Sequence, residues 1–366
     1  MREGVLPDCE IKDLIDKKAI TSNEPISEKQ IQPSSIDLRC SSKLNNAWRM
    51  PYSSIPTGNL KEFLEKTAHY CFSLESGFID EGDVYVIELE EFFDLPEGIS
   101  AKSNPKSTTG RLDIHTRLLT DEGMEFDNIR AGYKGGLFLE VISRSFGLRV
   151  PPGHSFNQVR FFRGGRDAER LDSRNLEYLA EQKSLLVNID GTPINQERSI
   201  MDDGTLSLTL SLDPNDPGYV ARSDVPSVFD LSVGKGTVPF SRFFHKVSPD
   251  AEGLVIVPGL LYLLGTKEII SIPENHCAEM VDVATGRGEF RAHYAGFFDP
   301  GFNARGVMEV RNISGENILL RPGQPISSLW FYRLTQNPSK IYGKDVGSSY
   351  QGQTGIRGAK FFDMNE

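Results

Sequence analysis

Four short stretches hold the residues able to do chemistry. "GVMEVRN" (306–312) sets Glu309 among apolar neighbours in what reads as a strand, and "GGLFLEVIS" (135–143) does the same with Glu140. In an extended chain Glu309 shares a face with Val307 and Arg311, while Met308 and Val310 line the other. A carboxylate in a poorly hydrated site must be paired, hydrogen-bonded or partly neutralised. Such an acid is either structural, paired with Arg311 or exposed at a sheet edge, or a proton carrier tuned by desolvation. "KSTTGR" (106–111) is a hydroxyl-rich, glycine-containing turn between Lys106 and Arg111. The hydroxyls of Ser107, Thr108 and Thr109 and the local N–H groups can face phosphate oxygens while Arg111 supplies charge, which suits a triphosphate. The same residues also make an ordinary polar hairpin turn, and GxxxxGK[ST] is missing. "DPG" (299–301), within AGFFDPGF, puts Asp299 in a tight turn with Phe302 just beyond it.

The elements that must position these residues are mainly strands. Residues 7 to 18, PDCEIKDLIDKK, place Ile11, Leu14 and Ile15 at helical spacing between an acidic start and two lysines, which predicts a short capped helix. From about 32 to 165 the chain turns to short apolar runs (YVIEL, LFLEVIS, QVRFF) broken by Gly, Pro, Asn and Asp, the pattern of an all-β sandwich or barrel. Residues 166 to 217 read as a helical then turn-rich linker, 218 to 335 as a second β region, and 336 to 366 as a polar, glycine-rich tail expected to be mobile without ligand. The length of 366 residues and 38% hydrophobic content allow about two domains.

Composition narrows the function classes. A net charge of −11 leaves no global basic field to hold a nucleic-acid polymer, although local clusters can hold small anions. No apolar run approaches the roughly 18 residues that cross a bilayer, and MREGVLPDCEIKD lacks a signal-peptide core, so a cytoplasmic location is expected. Cys9, Cys40, Cys71 and Cys277 are far apart and form no CxxC pair, which suggests neither a disulfide framework nor a zinc knuckle.

The two β regions echo each other in order. PSSIDLRCSSK (33–43) aligns with PSVFDLSVGK (226–235), matching Pro33 with Pro226 and Asp37 with Asp230. YVIELEEFFDLPEGISA (85–101) aligns with YLLGTKEIISIPENHCA (262–278), each with a Tyr eleven residues before a Pro. TGR recurs at 109–111 and 285–287, Glu140 aligns with Glu309, and LRVPPGHSF aligns with LRPGQPISS. Five echoes in one order point to a tandem duplication.

At this point the chain resembles the dCTP deaminases of the trimeric dUTPase-like family, in a double-length branch. The resemblance rests on IQPSSIDLR after the first helix, KSTTGRL, AGFFDPGF, a strand glutamate ten residues beyond Asp299, RPGQPISSLWF (321–331), and a tail running from Tyr342 to SSYQGQ (348–353). It implies a mainly β fold: two tandem dUTPase-like β barrels of the β-clip type, with a short N-terminal helix and a helical linker. It further implies hydrolysis of dCTP to dUTP and ammonia by an oligomer, a trimer or pseudo-trimer. Mg²⁺ would enter through the triphosphate. In this reading Glu309 is the general acid and base, Ser107 and Arg111 hold dCTP and place the water, and Lys106, Thr108 and Thr109 add phosphate contacts. Asp299 and Phe302 meet the deoxyribose, while Tyr342, Tyr350 and Gln353 close over the triphosphate. Ser349 stands where such members carry a Lys.

Zinc deaminases use HxE and PCxxC patterns, which none of the six histidines here forms, so no zinc is expected. The copies have diverged differently. The first keeps Ser107 and Arg111 but has Arg130 where the DPG aspartate should stand; the second keeps Asp299 and Glu309 but has Val283 opposite Ser107. A division of labour follows, with Glu140 a relic or a structural acid; a symmetric arrangement would instead make Glu140 catalytic. A dUTP diphosphatase, a bifunctional enzyme, and a non-catalytic deoxynucleotide-binding protein remain open alternatives.

Overall fold

The computed structural model describes residues 2–365 apart from 44–45, 57, 76, 122–124, 166–169, 225–226, 282–289 and 293–294. The second TGR, Val283 and Pro226 therefore lie outside the described residues. The chain forms two compact units. The first comprises Met1–Glu169, Pro226–Gly234 and Leu334–Ser339, and the second Arg170–Val225, Lys235–Arg333 and Lys340–Glu366.

The first unit opens with α1 (Asp8–Asp16), whose Ile11 and Leu14 are buried as their spacing requires. Asp8 is buried too, and its carboxylate accepts from the backbone N–H of Ser339 at 2.7 Å. The strands follow: β1 (Ser35–Asp37), β2 (Val84–Asp94), β3 (Ile99–Pro105), β4 (Ile114–Thr120), β5 (Lys134–Ser143), β6 (Gly147–Arg149) and β7 (Asn157–Arg163). β7 lies antiparallel between β1 and β3, and β5 lies antiparallel between β2 and β4. Alternate residues of β3 are buried, the mark of a strand with one covered face, whereas β5 is buried almost throughout. Between β1 and β2 the chain makes an excursion through the strand Ala47–Met50 and α2 (Leu60–Thr67). Leu60 and Leu64 of α2 pack with Trp48, Val86 and Phe138.

The turn Ser107–Gly110 of the first unit is α3, and the second unit carries α4 (Ser173–Gln182), capped by Asp172, which accepts from the Asn175 N–H at 2.8 Å. Its principal strands are β8 (Leu206–Ser211), β9 (Leu261–Ser271), β10 (His276–Val281), β11 (Asn303–Asn312) and β12 (Pro325–Arg333). Leu206, Leu208 and Leu210 form its core with Leu264, Met308, Val310 and Phe331. Leu206–Ser211, read in the sequence as part of a turn-rich connection, is thus a core strand, and the alternation in LSLTLS is the signal for it.

The registers make the internal repeat concrete and correct one echo. Val141 pairs with Tyr85 and Val310 with Tyr262, so Glu140 and Glu309 occupy the same position. Each tyrosine hydroxyl accepts a backbone N–H five residues upstream, Asp80 at 3.2 Å and Val257 at 3.0 Å. Asp37 of β1 faces Gln158, and Ser207 of β8 faces Ser328, so the counterpart of Ser35–Asp37 is 205–207 and not 228–230. Val228–Asp230 pairs in parallel with β6 within the first unit. Two short sequences shared Pro and Asp for turn reasons, which is a weak guide to position.

Candidate functional site

Glu309 sits on β11 between β9 and the strand Phe290–Ala292, opposite Leu263, and is 1% exposed. The position is neither exposed nor at an edge, which removes one of the two structural readings. Val307, Met308 and Val310 around it are buried as well, so both faces of the strand are covered. A carboxylate is kept in such a covered strand only where partners or a use offset the loss of water around it.

Asp299 lies upstream on the turn leading into the same strand and is buried. The turn closes through the Phe302 N–H to the Asp299 carbonyl at 3.1 Å. Gly301 has φ +84°, in the left-handed region, and a Cβ there would run into Ile341. Residues 341–342 therefore ride over the turn: the Tyr342 N–H donates to the Pro300 carbonyl at 3.0 Å, and the Tyr342 and Phe302 rings lie 5.5 Å apart. Phe302, Tyr342 and Asp299 are thus gathered in one place. In the first unit Ile129 pairs with Ala101, as Phe298 pairs with Ala278 in the second, so Arg130 occupies the Asp299 position.

The comparisons agree with this architecture. The N-terminal domain of 2'-deoxycytidine 5'-triphosphate deaminase matches residues 2–165, and its C-terminal domain matches 171–362. The crystal structure of 2'-deoxycytidine 5'-triphosphate deaminase from Agrobacterium tumefaciens is 31% identical. It superposes with a TM-score of 0.83 over 93% of this chain and 100% of that one. A protein of Salinispora tropica named "dCTP deaminase, dUMP-forming" is 32% identical over 165 residues, 40% of this chain and 84% of that protein. A Beutenbergia cavernae protein of the same name is 38% identical over 113 residues, 30% of this chain and 58% of its own. The chain belongs to the dCTP deaminase family.

Within this family member Ser107–Gly110 is a single helical turn, α3, with Arg111 at its C-cap. The Thr109 and Gly110 N–H groups donate to the Lys106 carbonyl at 2.8 and 3.1 Å. The Thr109 hydroxyl donates to the Phe156 carbonyl at 2.7 Å, so its proton holds the turn to the chain before β7. Arg111 is 4% exposed, whereas Ser107 and Thr108 are half-buried and reach the surface. Lys106 forms an ion pair with Asp37, a partner that a phosphate would have to displace.

Glu140 is 2% exposed on β5, opposite Val86 on one side and Arg117 on the other. Its Oε1 accepts from the Ser53 hydroxyl at 2.9 Å, and Ser53 belongs to the excursion that α2 packs in place. Burial pushes the Glu140 carboxyl above its ordinary value, opposed by Ser53, Arg117 and the Ser54 N–H. Asp127 is pushed up to about 6 by burial, against the Leu118 N–H at 2.8 Å and Arg117 at 3.4 Å. Ser53, Arg117 and Asp127 went unnoticed in the sequence. Only Arg117, two residues from His115 on one strand face, left a trace in the pattern; its Nε donates to His115 Nε2 at 3.1 Å.

The tail, expected to be mobile, is hydrogen-bonded along the start of β11. Gln351 Oε1 accepts from the Asn303 N–H and its Nε2 donates to the Gly301 carbonyl, both at 3.0 Å. Gln353 is 2% exposed; its Nε2 donates to the Arg305 carbonyl at 2.9 Å, and its carbonyl accepts the Arg305 N–H at 2.9 Å. Tyr350 is buried, its hydroxyl accepting from the Lys360 N–H at 3.2 Å. Beneath them Arg305, 2% exposed, donates to Asp216 and to the Thr266 carbonyl, each at 2.7 Å, and to the Thr354 carbonyl at 3.2 Å. Polar side chains supply this pairing, so apolar periodicity gave no sign of it.

Proposed function

We propose that this protein hydrolyses dCTP to dUTP and ammonia, with Glu309 as the proton carrier, as a cytoplasmic enzyme of pyrimidine deoxynucleotide supply. The observation that carries the reading is a glutamate 1% exposed in a central strand, downstream of a buried aspartate turn roofed by an aromatic ring. Glu309 takes a proton from water as the oxygen bonds to C4 of the base. It then gives that proton to the amino group, the C4–N bond breaks, and ammonia leaves. Positioned acid and base catalysis of this kind is worth about 10² to 10⁴ in rate.

Asp299 and Phe302 are assigned to the deoxyribose. Ser107 and Arg111, with Lys106 and Thr108, are assigned to the phosphates and the attacking water, and Thr109 to holding their turn. Tyr342, Tyr350 and Gln353 form the cover. The reading places water activation on a carboxylate because the sequence has no HxE and PCxxC pattern for zinc. Mg²⁺ enters with the triphosphate; among the described residues no group of three His, Cys, Asp or Glu side chains is gathered to hold it. Assembly in threes is part of the same proposal.

A second reading is favoured by the names of the single-length relatives, which are dUMP-forming. Conversion of dCTP to dUMP also removes a diphosphate, so product analysis separates the two. Equal yields of dUTP and ammonia support simple deamination. Pyrophosphate released with dUMP supports the second reading, and pyrophosphate without ammonia from dCTP would overturn both.

A further inference from the structure

In the second unit the C-terminal segment closes a cavity of about 480 Å³ whose wall includes Lys235, Ser349, Arg357, Gly358 and Lys360. The chain carries a net charge of −11, so three cationic side chains around one concavity run against its overall field. One carboxylate, Asp363, shares the wall, and it accepts from the Asn365 backbone and side-chain amides at 2.9 and 3.1 Å.

The wall is held from behind. The Gly236 N–H donates to the Lys360 carbonyl at 3.0 Å, and the Thr237 and Val238 N–H groups donate to the Phe361 carbonyl at 2.9 and 3.0 Å. Val238–Pro239 pairs in parallel with Phe362–Asp363, and the Phe240 ring stacks on Phe244 and meets Phe362 edge-on. Gly358 is buried, and a Cβ there would lie 2.6 Å from the Phe240 ring, so the backbone approaches as only glycine allows. Its N–H donates to the Met364 sulfur at 3.5 Å. A thioether is a weak acceptor, so an entering oxyanion would give that N–H a far better partner.

We propose that this cavity binds phosphate groups in a di- or triphosphate unit. Lys235, Arg357 and Lys360 supply charge, Gly358 a directed N–H, and Ser349 a hydroxyl. Small-molecule sites run from about 300 to 1,000 Å³, so the volume suits more than one phosphate. Tyr350, assigned above to the cover over the triphosphate, also lines this wall, whereas Lys235, Arg357, Gly358 and Lys360 have no part in that assignment, and the inference does not depend on Glu309. The ligand is either free pyrophosphate or the phosphate end of a nucleotide, which share this chemistry.

Calorimetric titration of the full chain with pyrophosphate tests it. Wild type should bind, with affinity falling as salt rises. The double variant Arg357→Gln, Lys360→Gln should bind at least about tenfold more weakly. Both side chains are exposed, so the variant should keep its fold, which far-UV circular dichroism checks. A matching rise in KM for dCTP with unchanged kcat identifies the nucleotide's own phosphates as the ligand; an unchanged KM identifies free diphosphate. No binding by wild type, or equal binding by the double variant, overturns the proposal.

Discussion

The two units place a glutamate at one register position and then treat it differently. Glu140 is met by the Ser53 hydroxyl and faces Arg117, near Asp127. Glu309 lies beyond a buried aspartate turn that the Tyr342 ring covers. The residue at the Asp127 position in the second unit is Gly296, since the Asp127 carbonyl accepts the Ser103 N–H as the Gly296 carbonyl accepts that of Met280. The lesson is that duplication preserved the costly feature, a buried acid, while its surroundings were free to specialise. One copy meets its carboxylate with the Ser53 hydroxyl from the excursion before β2, and the other sets its carboxylate ten residues beyond a buried aspartate turn under an aromatic ring.

Exchanging each acid for its amide breaks this comparison most sharply. Glu309→Gln should lower kcat for dCTP deamination by about 10² to 10⁴, because an amide cannot carry the proton. Glu140→Gln should stay within about threefold of wild type, since the amide oxygen still accepts from Ser53. Steady-state ammonia release measures both. The reverse pattern would give catalysis to the first unit and make the second a scaffold.

Much of this was legible because strands and turns announce themselves locally. The alternation of apolar runs gave the β class, the acidic start and lysine end of 7–18 gave α1, and the order of echoes gave the repeat of Glu140 in Glu309. What stayed hidden depends on residues far apart in the chain. Ser53 reaches Glu140 across 87 positions and Asp216 reaches Arg305 across 89, and neither partner has a type or spacing that predicts the other. The exchange of 205–207 for 228–230 has the same origin: a Pro and an Asp resemble one another wherever a strand begins, and only hydrogen-bond register distinguishes the copies.

Arg305 offers the next largest effect, because the equivalent position in the first unit holds no side chain. Both hairpins shift register at the same place, but the residue there is Gly136 in one and Arg305 in the other. Gly265 makes room for the guanidinium, since a Cβ would lie 2.6 Å from its Cζ. Asp216 also accepts the Ile356 N–H at 3.0 Å, so one ion pair ties the tail down twice. Arg305→Met should cost about 2 to 4 kcal/mol in denaturant unfolding by stranding Asp216. It should also release the tail to protease cleavage at Lys344 and Arg357 while the rest of the chain stays protected. Retained protection would mean that Gln351 and Gln353 suffice to hold the tail.

Asp127 gives the smallest effect and the finest distinction, because a titrating group stands there in one unit and glycine in the other. Its carboxyl releases a proton at about 6 in the folded protein against 3.8 for an ordinary aspartate. Between those values the folded state binds more protons than the unfolded chain, so stability falls as pH rises through this window and stays reduced above it. Asp127→Asn removes that loss, although it also gives up the ion pair with Arg117. The variant should therefore gain on wild type by about 1 to 2 kcal/mol between pH 4 and pH 7, less than the full shift implies because the pair is partly solvated. Urea midpoints across that range measure the change. Parallel curves for the two proteins would show that Asp127 is ionised throughout, and the contrast with Gly296 would then be one of shape alone.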